Sequence, residues 1–290
     1  DYRICEQGDL LLIHTVARHM PHLLIERLRT LPEPLEFTVR DAKGLRFGAC
    51  VIEVLEIVAA VLFVIGSICF LPQYLRILQL FLFGCGLFIL GSVIYCIICT
   101  MSFIEVLVLK EMRLCEVLEN GMYLAGSWLF LFGSVLYLPI KEQQADMSAG
   151  LSLGQLCEYH QYFSYVDRQF WGTVLLIIGS VLFTLAAFTN ALNQRKSSDE
   201  WSAGMLTMVT SFYMIGSLLF AIGSIAFLPH LGCGDEMVTL GAWSFIVGSI
   251  FFLFGGVISL LRTCWVMRCE DARCLWEFEA VHEEHARSPK

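Results

Sequence analysis

Ile57-Val-Ala-Ala-Val-Leu-Phe-Val-Ile-Gly-Ser-Ile-Cys-Phe-Leu-Pro72 holds no Asp, Glu, Lys, Arg or His. Extended back to Cys50, the run reaches the roughly 20 residues that a helix needs to cross a hydrocarbon layer. Five further stretches reach or approach that length: Leu78–Thr100, Gly121–Leu138, Phe170–Leu192, Met205–Leu228 and Val238–Leu261. The third is the shortest. These runs are continuous, whereas the strands of a membrane barrel alternate apolar and polar residues. In lipid every backbone group must be satisfied internally, so the runs read as helices. The whole composition agrees: 57% of residues are apolar and 16% charged, against about 25% charged in soluble domains. Mean hydropathy is +0.69. A soluble six-helix bundle fits this poorly. The fold class expected is all-α integral membrane, with six transmembrane helices.

The helices come in pairs. Three phrases close the odd-numbered spans: Ile65-Gly-Ser-Ile-Cys-Phe-Leu-Pro72, Phe132-Gly-Ser-Val-Leu-Tyr-Leu-Pro139 and Ile222-Gly-Ser-Ile-Ala-Phe-Leu-Pro229. Proline stops the helix just beyond each. The even-numbered spans carry Gly84 and Gly91-Ser92, Gly172 and Gly179-Ser180, Gly241 and Gly248-Ser249. The odd spans keep the same separation of seven, with Ala59 and Gly66-Ser67, Gly126 and Gly133-Ser134, Gly216 and Gly223-Ser224. Seven residues at about 100° each bring both members within about 20° of one line. A stripe of small residues lets helix backbones approach closely, which is how lipid-embedded helices associate. The glycines and serines are therefore expected to serve helix packing. A polar track through the bundle is the other use for them.

Three tandem hairpins follow, with segments on either side. Residues 1–49 form an N-terminal surface segment, 50–100 the first hairpin and 101–119 an amphipathic connector. Residues 120–192 form the second hairpin, with a long aromatic loop at 139–169. Residues 193–204 connect it to the third hairpin at 205–262, and 263–290 form a tail. Segments on one side of the spans hold 16 of the 19 basic residues, and Arg76, Lys141 and Arg168 are the exceptions. Positive charge stays on the side of insertion. Both termini are then expected on the cytoplasmic or equivalent face. The chain opens on Asp1 instead of Met, so loss of a preceding segment is expected.

The phrase Gly-Ser-x-x-aromatic-Leu-Pro, then a short connection and a Gly-rich span ending in Gly-Ser-x-x-aromatic, resembles the YrhK-like protein family. That family's unit is a small two-helix membrane hairpin. The resemblance implies three copies across residues 50–262, and it brings no activity, cofactor or catalytic residue with it.

The search for chemistry yields mainly absences. All seven histidines, at 14, 19, 22, 160, 230, 282 and 285, lie outside the spans, which removes a bis-His haem from the bundle. Intramembrane ionisable residues mark proton and ion paths. Here only Glu53 and Glu56 approach that position, three apart on one face of the first span. They are expected at headgroup level, favoured by the helix N-terminus; the sharper reading is a cation site or partner contact. Cys264, Cys269 and Cys274 are spaced by five, which spreads them around a helix, so no metal site is expected. Cys157 and Cys233 are the only cysteines on the opposite face. An oxidising compartment there would allow a disulfide joining the second and third hairpins; free thiols are the alternative. No phosphate loop, nucleophile elbow or paired-carboxylate signature occurs, and no basic patch with interleaved aromatics suits nucleic acid.

The chain is therefore expected to be no enzyme and to need no cofactor and no metal. Its expected surroundings are the lipid bilayer and membrane-protein partners in a larger complex, as a structural or accessory subunit. The competing expectation is a channel or facilitator for a small solute or ion, lined by Gly, Ser and backbone groups.

Overall fold

The computed structural model describes residues 39–75, 77–108, 114–138, 163–193, 200–228 and 235–287. These form seven helices, with no strand among the described residues: α1 (Val39–Cys69), α2 (Pro72–Leu75), α3 (Leu78–Val108), α4 (Leu114–Leu136), α5 (Phe163–Asn193), α6 (Glu200–Ala226) and α7 (Asp235–Arg287). Two compact units divide them. One comprises the described parts of Asp1–Val54, Lys196–Leu206 and Val257–Lys290; the other comprises those of Leu55–Arg195 and Thr207–Gly256.

Five helices carry a segment long and apolar enough to cross a membrane: Cys50–Cys69, Leu78–Ile104, Arg168–Leu192, Ala203–Ala226 and Asp235–Trp265. Helix α4, which holds the shortest of the six expected spans, is not among them. The reason lies in its first two turns, where Glu116, Glu119 and Asn120 stand. Beyond them Gly121–Leu136 supplies about 24 Å of helix at about 1.5 Å per residue, short of the roughly 30 Å of hydrocarbon.

Several helices also run past the apolar segments. Helix α1 begins eleven residues before Cys50, inside the expected N-terminal segment, and α7 continues from its apolar part to Arg287. No proline falls between Pro34 and Pro72 or after Pro229 until Pro289, so nothing there forces either helix to stop.

The odd-numbered ends close alike. At the last residue before each Leu-Pro proline the N–H turns back to the carbonyl three residues earlier: Leu71 to Ile68 at 3.1 Å, Leu138 to Val135 at 3.2 Å and Leu228 to Ile225 at 3.1 Å. Such tightened turns satisfy carbonyls that a helix end would otherwise orphan. Each helix sorts its residues by size. On α1 the exposed positions are Val51, Val54, Val58, Val61, Ile65 and Ile68, while Ala59, Ala60, Phe63 and Ser67 are buried. The alternation of three and four residues puts the bulky aliphatic stripe outside and the small residues inside.

Candidate functional site

The glycines of each hairpin meet in antiparallel register. A Cβ added at Gly133 would lie 2.8 Å from the Gly172 carbonyl oxygen, and one at Gly172 would lie 3.0 Å from that of Gly133. Gly126 faces Gly179 in the same way, at 3.2 and 3.1 Å. In the last hairpin Gly216 and Gly248 face each other at 3.0 Å both ways, and Gly223 lies 3.0 Å from the Gly241 carbonyl. In the first hairpin Gly66 faces Gly84, at 3.2 and 3.1 Å, and Gly91 lies against the ring of Phe63. In every hairpin the earlier small residue of one helix thus meets the later one of its partner. Where backbone meets backbone at this range, a side chain has no room.

The serines following Gly66, Gly91, Gly133, Gly179, Gly223 and Gly248 all donate within their own helix. Each hydroxyl donates to the carbonyl four residues back: Ser67 to Phe63 at 2.6 Å, Ser92 to Phe88 at 2.7 Å, Ser134 to Phe130, Ser180 to Leu176 and Ser224 to Phe220 at 2.8 Å, and Ser249 to Phe245 at 2.7 Å. The Ser67 and Ser249 oxygens approach to 3.4 Å, but both protons are already committed. Ser180→Ala is expected to change stability by less than about 0.6 kcal/mol, since such back-bonds add little to a helix. Thermal unfolding in detergent measures this; a large loss would show the hydroxyl serving another partner.

The residues accepting those bonds reveal a signal that a search for small residues passes over. Three positions before each Gly-Ser glycine stand Phe63, Phe88, Phe130, Leu176, Phe220 and Phe245. The five phenylalanines converge. Ring centroids lie 5.1 Å apart for Phe63–Phe88 and Phe220–Phe245, 5.6 Å for Phe130–Phe220, 5.7 Å for Phe88–Phe245 and 6.0 Å for Phe63–Phe220. Aromatic rings also stand four residues after each glycine, and these form two further groups. Phe70, Tyr137 and Phe227 meet at one end, with Phe227 6.3 Å from each of the others. Tyr95, Phe183 and Phe252 meet at the other, with Tyr95 6.5 and 6.3 Å from its neighbours. The interior is filled in layers, each drawing on all three hairpins.

Beside Tyr95 lies a polar cluster. The position three before the first small residue of each hairpin is occupied by Glu56, Tyr123 and Tyr213. Tyr213 donates its hydroxyl proton to Glu56 Oε2 at 2.9 Å. The Glu56 carboxyl is near enough to act electrostatically on the Tyr95 and Tyr123 hydroxyls, and Glu119 on that of Tyr123. Glu56 is buried, and Glu119 is 0% exposed. The Tyr95 hydroxyl is buried without a hydrogen-bond partner among the described residues. The Glu56 side chain turns inward among protein groups. Glu53 is buried too, and its Oε1 accepts a proton from Thr263 Oγ1 at 3.1 Å. Glu116 and Glu119, which the sequence places in or beside an amphipathic connector, are buried. Glu119 stands seven residues before Gly126, within about 20° of it around the helix.

Cys157 and Cys233 both lie outside the described residues. Among the described residues no three His, Cys, Asp or Glu side chains gather in a way that would hold a metal ion.

Two segments, residues 49–107 and 206–264, match the family model described as YrhK-like protein. These two regions of the chain are similar to YrhK-like proteins. They coincide with the first and last hairpins, where Gly66 meets Gly84 and Gly216 meets Gly248. Together the YrhK-like segments make up less than half of the chain. No curated protein and no solved structure matches it.

Proposed function

We propose that this chain is a non-catalytic, six-span membrane protein built from three YrhK-like hairpins, and that it serves as a structural or accessory subunit of a larger membrane complex. The observation that carries this reading is the layered aromatic interior. Positions where a solute path would run are taken by Phe63, Phe88, Phe130, Phe220 and Phe245. The glycines that would line a channel are closed against opposing backbone, and the serine protons are spent inside their helices. A channel or facilitator lined by Gly, Ser and backbone fits this arrangement less well. The middle hairpin supports a third copy, because Gly126–Gly179 and Gly133–Gly172 repeat the facing pattern seen in the YrhK-like segments. Helix α4 then completes the six spans by drawing its buried glutamates to the positive-side boundary, where both termini lie. The outward aliphatic stripes meet lipid and partner helices.

Extraction in mild detergent followed by native separation tests the proposal. Co-migration with a large assembly is expected. Migration as a free small particle, together with solute flux after reconstitution into liposomes, would overturn it.

A second reading attaches to Glu56, on the strength of the buried Tyr95 hydroxyl beside it. A cation or polar partner group entering here would satisfy that hydroxyl. Removing the Tyr213 donor should show how much the cluster needs it. Tyr213→Phe is expected to lower stability by about 1–3 kcal/mol, the usual cost of taking one partner from a buried group. Glu56→Gln should cost less, since its amide oxygen still accepts from Tyr213. Melting in detergent with and without added Na⁺, K⁺, Mg²⁺ or Ca²⁺ separates the readings. Wild type unmoved by every cation removes the cation site.

A further inference from the structure

The three hairpins share one register, so each serves as a control on the others. In each, the residue three before the first small residue of the odd helix belongs with the residue four after the Gly-Ser glycine of the even helix. In the middle hairpin these are Tyr123 and Phe183, with ring centroids 6.0 Å apart. In the last they are Tyr213 and Phe252, at 5.6 Å. In the first they are Glu56 and Tyr95. The rings of Phe63 and Phe88 meet at 5.1 Å. Glu56 stands seven residues before Phe63, and Tyr95 seven after Phe88. On antiparallel helices these steps run the same way for the same length, so carboxyl and phenol share one layer. Ring contacts close the layer. The Tyr95 ring lies 5.9 Å from Phe63, 6.5 Å from Phe183 and 6.3 Å from Phe252. Phe252 is the neighbour of Tyr213, which donates to Glu56 at 2.9 Å.

Two hairpins thus set a tyrosine against a phenylalanine, and the first sets a glutamate against a tyrosine. The first pair is more polar on both sides, yet it does not close on itself. The Tyr95 hydroxyl is buried and makes no hydrogen bond among the described residues, although a carboxyl shares its layer. A buried hydroxyl left in this way marks a place for a group that the chain does not supply.

The oxygens at hand decide the class of that group. They are the Glu56 carboxylate and the neutral hydroxyls of Tyr95, Tyr123 and Tyr213; a second carboxylate, Glu119, stands one turn along α4 from Tyr123. Mg²⁺ demands near-ideal octahedral geometry and gives up water reluctantly, and Ca²⁺ takes about six to eight oxygens. A layer otherwise filled by phenylalanine rings does not provide them. An alkali ion exchanges its water for neutral oxygens, and aromatic faces attract it further. We propose that the layer of Glu56, Tyr95, Tyr123 and Tyr213 binds one dehydrated monovalent alkali cation, Na⁺ or K⁺, which clamps the three hairpins together. This rests on the cation reading of Glu56 and names its ligand. Glu56 supplies the charge, and Tyr95 the oxygen that the fold leaves unused.

The test melts the full chain in detergent with N-methylglucamine chloride, whose cation is too large to enter a buried layer. NaCl or KCl then replaces it at constant ionic strength. Saturable stabilisation by about 5 °C is expected from Na⁺ or K⁺, and none from MgCl₂ or CaCl₂. Tyr95→Phe separates a ligand from a packing residue. In N-methylglucamine chloride it should melt at or above the wild type, because an orphaned hydroxyl is gone. In the favoured alkali chloride it should melt below the wild type, having lost most of the shift. Glu56→Gln should lose the shift as well. No shift from any cation overturns both this proposal and the reading beneath it. A shift from divalent ions alone keeps Glu56 as a cation site and overturns the monovalent assignment. A Tyr95→Phe protein that keeps the full alkali shift, or that melts below the wild type in every medium, overturns the ligand set. The wild-type comparison of alkali with divalent salts decides the ion class even where a variant fails to fold.

Discussion

Gly84→Val is expected to destabilise the protein by about 3 kcal/mol, while Gly86→Val, two residues further along α3, leaves it nearly unchanged. A Cβ at Gly84 would stand 2.8 Å from Cys69 Cβ, 3.1 Å from the Gly66 carbonyl oxygen and 3.2 Å from the Phe70 ring. The first two neighbours are fixed to the backbone of α1, so no rotamer change relieves them and the helices must part. Overpacking of this kind costs about 1–3 kcal/mol, and the branched side chain puts two more methyl groups into the same gap. Separation also forfeits the matching contact on Gly66. At Gly86 nothing lies within 4 Å of an added Cβ. There valine meets open space, and Gly86→Ala should stabilise the helix by up to about 1 kcal/mol through propensity alone. Thermal or denaturant unfolding in detergent reads both variants. Equal losses at 84 and 86 would show that the glycine face is not where α1 and α3 touch.

Phe220→Ala should be the most damaging single truncation of the aromatic interior. Phe220 is 2% exposed. Its ring centroid lies 5.1 Å from Phe245, 5.5 Å from Phe252, 5.6 Å from Phe130, 6.0 Å from Phe63 and 6.3 Å from Phe88. In water-soluble cores such a truncation loses both transfer energy and packing. Lipid tails are as apolar as the interior, so here the packing part remains. A cavity of roughly 100 Å³ at about 24 cal/mol per Å³ gives about 2.4 kcal/mol, and lost ring–ring pairs add roughly 0.5–1.5 kcal/mol each where the geometry is good. A loss of about 3–5 kcal/mol is expected, with Phe220→Leu near half of it. Phe254→Ala, on an exposed ring, serves as the control and should cost little. Similar losses at 220 and 254 would contradict a packed centre.

Much of this architecture is visible before any coordinates. Charge-free runs of about twenty residues are a property of composition, and they mark the five apolar helices. Leu-Pro steps mark where the odd helices stop. The separation of seven between glycines is also plain, though only the structure shows that Gly133 meets Gly172 and that Gly126 meets Gly179. Other features escape because spacing along one chain carries no information about them. The phenylalanines three before each glycine look like ordinary membrane residues until five of them are found together. Glu116 and Glu119 look like solvent-facing connector residues because charge is normally read as exposure. Their burial depends on what α4 packs against. The backward reach of α1 to Val39 leaves no apolar run to find.

The shared aromatic layers bear on how the protein is made. Phe63 and Phe88 leave the ribosome well before Phe220 and Phe245. Until the final hairpin emerges, the inner rings of the first face lipid or a chaperone, and its glycine face is closed on one side alone. No hairpin completes its own interior. A chain stopped after Asn193 should therefore insert and then be cleared by membrane quality control, because the ring around which the others assemble has not yet been translated.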